Sequence, residues 1–109
     1  HIRSVYLCPT PDLKHLSWRV DLAGNGEGVL RYAIRDSTNG HAILEGAIPA
    51  QSREVRWRTP ARGLTPWSGH SPRLYRIDVR LEAGSHETDR VVQPWRQGCV
   101  AQPMLVPYN

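Results

Sequence analysis

The chain has 109 residues and a formal net charge of +4, enough for one domain and too little to combine a catalytic barrel of roughly 250 residues with anything else. Hydrophobic residues make up 39% and charged residues 22%; without a long apolar run, a single packed core is expected and a membrane partner is not. Lys14 is the only lysine, and the arginines are spread among acids rather than gathered in a stripe, which argues against a nucleic-acid partner.

Apolar and polar residues first alternate over 2–7, and the pattern stops at Cys8-Pro9-Thr10-Pro11, where two prolines remove ladder donors. Leu16, Trp18, Val20 and Leu22 mark one face of a second strand, closed by the Ala23-Gly24-Asn25-Gly26 turn. Leu30, Tyr32 and Ile34 mark a third. Asn39-Gly40 predicts a two-residue type I′ turn, whose central positions both need positive φ, leading into a fourth strand around 41–47. Val55 and Trp57 alternate with Arg56 and Arg58 in a fifth. An irregular crossing, ARGLTPWSGHSP, follows Pro60. From Leu74 a sixth strand carries Tyr75, Ile77, Val79 and Leu81 on one face and Arg76, Asp78 and Arg80 on the other. Gly84-Ser85 turns into a last strand near 87–92, and Pro94, Pro103 and Pro107 predict an irregular tail from about residue 93. About seven short strands and no amphipathic helix predict an all-β, two-sheet Greek-key sandwich filling 1–109 as one domain, with a barrel as the structural alternative.

Little in the sequence points to chemistry. The ten carboxylates sit mostly beside turns or at outward strand positions, so they read as solvated groups. A glycosidase-type general acid would need burial to raise its pKa. The five histidines form no HxH, HxxxH or HExxH pattern, so no metal site is expected. Neither Ser68 nor Ser71 lies in a G-x-S-x-G elbow, and no Gly-rich loop precedes a helix. No catalytic, cofactor-binding or metal-ligating residue is therefore assigned. Among the tryptophans, Trp18 and Trp57 share a face with core residues and Trp67 beside Pro66 is read as an end plug. Trp95 lies in the expected tail, where an exposed contact with another domain or a sugar competes with burial.

The stretch from Trp67 to Leu81, of the form W-S-x(3)-P-x-L-Y-x-I-x-V-x-L, resembles a segment of the immunoglobulin-like middle domain of family 2 glycoside hydrolases, the group of β-galactosidases, β-mannosidases and β-glucuronidases. Ile2-Arg3-x-Val5-x-Leu7 is similar to the family's lead-in strand, and Leu30-x-Tyr32-x-Ile34-x-Asp36 with Asn39-Gly40 is similar to its central hairpin. The resemblance covers residues 2 to about 92 and singles out Trp67, Pro72, Leu74 and Tyr75 as a structural motif. It implies an immunoglobulin-like β-sandwich with no catalysis and no cofactor of its own. Such a domain is a spacer that sets a sugar-binding jelly roll against a TIM barrel within a parent glycosidase, so its partners are the neighbouring domains. The tail departs from the pattern, with Val91-Val92-Gln93-Pro94-Trp95-Arg96 where the family has a G-F-R motif. The alternative is a free-standing carbohydrate-binding or adhesion module, with carbohydrate as partner.

Cys8 and Cys99 leave two readings open. They are either separate thiols or a disulfide tying the first strand to the tail, since first and last strands of such sandwiches often lie near each other. A bond would place the protein in the periplasm or outside the cell, and free thiols would leave the cytoplasm open.

Overall fold

The computed structural model describes residues 1–12, 14–24, 28–61, 74–84, 86–95 and 99–103. Period-2 alternation sorts these into eight strands: β1 (Ile2–Pro9), β2 (His15–Leu22), β3 (Val29–Asp36), β4 (Ala42–Pro49), β5 (Glu54–Pro60), β6 (Tyr75–Ala83), β7 (His86–Trp95) and β8 (Val100–Pro103). They form two antiparallel four-stranded sheets, ordered β5-β2-β1-β8 and β4-β3-β6-β7. The chain changes sheet after β2, β4, β5 and β7. With β1, β2 and β5 in one sheet and β3, β6 and β7 in the other, this is the Greek-key arrangement of an immunoglobulin-like sandwich.

The inner faces supply the core. Leu16, Trp18, Val20 and Leu22 from β2 meet Leu30 and Ile34 from β3 and Tyr75, Ile77, Val79 and Leu81 from β6, all nearly inaccessible to solvent. Ile2 would share the outward face of Ser4 if β1 alternated strictly. A bulge between these residues shifts the pairing from Ile2↔Leu22 to Ser4↔Asp21, which turns Ile2 inward beside Val5 and Leu7. Gly28 sits at φ +132°, and a Cβ there would strike the Glu82 carbonyl, so only glycine lets the chain enter β3 so close to β6.

Two expectations need correcting. The hairpin joining β3 to β4 closes through the Asp36 N–H to the His41 carbonyl (2.9 Å), leaving the four-residue loop Ser37–Gly40 in place of a two-residue type I′ turn. The Asp36 side chain explains the longer loop. Its Oδ1 accepts the Thr38 N–H (2.7 Å) and its carbonyl accepts that of Gly40 (2.8 Å), with Gly40 alone in the loop needing glycine's freedom, at φ +76°. The described part of the tail, 93–95 and 99–103, is also more regular than its prolines suggest. β7 runs through Pro94 to Trp95, and Val100–Pro103 adds an eighth strand antiparallel to β1. Both are outer strands, where a residue lacking an N–H can face away from the ladder.

Candidate functional site

With β7 extended to Trp95, the alternation Val91, Gln93, Trp95 carries the indole to the inner face. Trp95 is 2% exposed and packs at 47° to Tyr75, ring centroids 6.1 Å apart. The exposed contact considered for Trp95 is thus replaced by burial. Tyr75 is fully buried at the start of β6, whereas Leu74 precedes the strand, 44% exposed, its carbonyl accepting the Ser37 N–H (3.1 Å). Trp67 and Pro72, the other two motif positions, lie outside the described residues. Cys8 and Cys99 are joined by a disulfide, Cα atoms 4.1 Å apart, one rung beyond the Leu7↔Val100 pair of β1 and β8. Pairing of the two strands is what brings together residues 91 apart in sequence.

A second aromatic group bridges the sheets near β4 and β5. The rings of Trp18 and Trp57, opposite one another on β2 and β5, stack at 5.2 Å and 11°, and Tyr32 from β3 tilts against both. Trp18 Nε1 donates to Thr59 Oγ1 (3.0 Å), while the buried Nε1 of Trp57 meets no acceptor. Both rings are committed to the core.

The outer faces carry the charge. On the β5-β2-β1-β8 sheet, Arg19 forks onto Asp21 with two bonds of 3.0 Å, Ser4 Oγ donates a third (3.0 Å), and the Arg19 guanidinium lies 4.7 Å above the Tyr6 ring. Glu54 is contacted by Arg56 and, at 3.6 Å, by Arg19. On the β4-β3-β6-β7 sheet, Arg90 forks onto Asp78 (3.1 and 2.7 Å), Arg35 approaches the same carboxylate at 3.7 Å, and Arg31 donates to Glu82 at 2.7 Å. Arg31, Arg35, Glu45, Asp78 and Arg80 border a depression of about 320 Å³ floored by Ala33 and Ala47.

Two carboxylates depart from the solvated reading: Asp36 and Asp78 are 7% and 4% exposed. Burial of Asp78 follows from the arginine side chains that converge on it, and burial of Asp36 from the hairpin loop that folds back over it at the end of β3. Sequence reasoning missed both because an acid at an outward strand position looks the same whether its neighbours cover it or not. Three carboxyls are moved down: Asp21 by the Arg19 fork, Glu54 by its bond from Arg56, and Asp12 by the Thr10 hydroxyl and the Lys14 N–H. A general acid needs the opposite shift. Among the described residues, no cluster of three His, Cys, Asp or Glu is placed to hold a metal ion.

No family model matches the chain, and no curated protein is similar to it in sequence. Among solved structures, it is similar to the FMN-binding β-glucuronidase of Facaelibacterium prausnitzii L2-6, with a TM-score of 0.54 and 20% identity. The match covers 85% of this chain and 14% of that one, so the chain spans about a seventh of that protein's length. At this identity the likeness is one of fold.

Proposed function

We propose that the chain is a non-catalytic immunoglobulin-like domain of a family 2 type glycosidase, a spacer that sets a sugar-binding jelly roll against a TIM-barrel catalytic domain. The observation that carries this reading is the fold likeness to a small fraction of a far longer β-glucuronidase, joined to the Trp67-to-Leu81 motif of the sequence. The downward shifts at Asp12, Asp21 and Glu54 are in keeping with it. The rival reading, a free-standing sugar-binding module, leaned on an exposed Trp95, and that ring is in the core.

The chain is expected to unfold cooperatively and to hydrolyse no aryl β-galactoside, β-mannoside or β-glucuronide. Turnover that survives purification and disappears on replacing one of its carboxylates by the amide would overturn the non-catalytic part. Reading the coding sequence on both sides of the segment tests the spacer part. A jelly roll before His1 and a barrel with two strand-end glutamates after Asn109 are expected, and a stop codon near Asn109 would refute it.

A further inference from the structure

The register of the β4-β3-β6-β7 sheet sets its arginines in rows. Arg31 on β3 is directly opposite Arg80 on β6, which is directly opposite Arg90 on β7. Four rungs along, Arg35 is opposite Arg76, and midway between them runs the row Glu45, Ala33, Asp78, Val92. Directly opposed like charges destabilise a sheet, and the face carries too few acids to compensate. Glu82 takes Arg31, and the buried Asp78 takes Arg90 and Arg35. Among the described residues, Arg76 and Arg80, both on the inner strand β6, have no carboxylate in ion-pair range, and Val92 beside them is 45% exposed. Folding alone gains nothing from this arrangement.

We propose that this outer face docks an acidic protein surface, with Arg76 and Arg80 as the free cations and Val92 as the apolar contact between their rows. Charge complementarity fixes the sign of the partner. Its carboxylates would meet two arginines rooted about 13 to 14 Å apart along β6, four residues at a strand's rise. The lack of rings on the face narrows its class. The outward positions Glu45, Ala47, Arg31, Ala33, Arg35, Arg76, Asp78, Arg80, Arg90 and Val92 include no aromatic ring. A sugar or an unpaired nucleic-acid strand would find no platform to stack on. The docking surface holds whether or not the flanking-domain reading does, since it needs only the face itself.

The test uses fluorescein-labelled poly-L-glutamate as probe, followed by anisotropy at low salt, with a heparin fragment as competitor. The double variant Arg76→Ser/Arg80→Ser is compared with Arg56→Ser/Arg58→Ser, which removes the same charge from the opposite outer face. The first pair is expected to lose about tenfold or more in affinity and the second less than about threefold, because nonspecific attraction depends on net charge alone. The urea midpoint of the first variant should stay level or rise, since opposed charges have been removed, which separates lost docking from lost fold. Arg76→Lys/Arg80→Lys, which keeps the charge, should fall between the parent and the serine pair. Equal losses in the two serine variants, absence of binding to the probe, or tighter binding of heparin through the same two arginines would each overturn the proposal.

Discussion

The two open sides of the sandwich are built differently. Where β1 and β7 approach, the Ile2 N–H reaches across to Asp89 Oδ2 (2.7 Å), Tyr75, Val91 and Trp95 are buried, and β8 is bound to β1 covalently. Along β4 and β5, Tyr32, Ile43, Leu44, Ile48 and Trp57 are only half-buried, and one of their polar atoms, Trp57 Nε1, is without an acceptor. Aromatic rings close both sides, yet only the first combines full burial with a crosslink. Area removed from water, rather than the number of rings, should decide which side holds the fold together.

Removing the crosslink should have the largest effect. Cys8→Ser/Cys99→Ser frees a loop whose ends are 91 residues apart, and loop-closure entropy sets an upper figure of about 4 to 5 kcal/mol for the loss, read from urea unfolding. The unreduced, denatured protein should show no reactive thiol, and two would remove the bond altogether. Next comes Trp95→Ala, expected to cost about 3 to 5 kcal/mol, against roughly half of that for Trp57→Ala at the half-buried rim. Equal losses at the two tryptophans would break the contrast. A sharper version deletes single polar atoms. Thr59→Val strands the buried Trp18 N–H and should cost about 1 to 3 kcal/mol, whereas Trp57→Phe removes an N–H with no acceptor and should stay within about 1 kcal/mol of the parent.

The smallest effect lies on neither side. The Arg19 fork lowers the Asp21 pKa, so its stabilisation is fully present above the unfolded carboxyl value near 3.9 and is lost as pH falls through the lower folded value. The Arg19 side chain is 37% exposed, so solvent screens the pair and less than about 1 kcal/mol is at stake. Arg19→Gln should flatten the acid limb of a pH–stability curve, and an unchanged limb would show that the fork contributes nothing.

These contrasts were unevenly legible in the sequence. Inner-face alternation at Leu16, Trp18, Val20 and Leu22, and again at Tyr75, Ile77, Val79 and Leu81, is local and strong because one face of each strand must leave water. Pro94 and Pro103 misled because proline's cost depends on whether a strand is central or outer, and that is a property of sheet order, not of the strand. The error propagated: ending β7 early put Trp95 in a tail, hid its pairing with the core, and removed the strand that carries Cys99 toward Cys8. The hairpin loop was missed because Asn39-Gly40 outweighed the buried Asp36 that organises the turn. The arginine rows were visible residue by residue, but their opposition depends on register across three strands. Nothing on any one of them records it.

The β1–β8 pair also decides how the domain would bear tension. Ser4 faces Pro103 at one end of the pair, and the disulfide lies at the other, so a pull on the two ends of the chain peels both strands from the same side, rung by rung. Peeling stops at the sulfurs. The residues between the cysteines form a closed covalent loop that carries no load, holding back roughly 300 Å of contour length for a separation of 91 residues. Once the β8 rungs have parted, the bond hands the load to β1, which β2 still holds, and the domain behaves as a short leash of fixed reach.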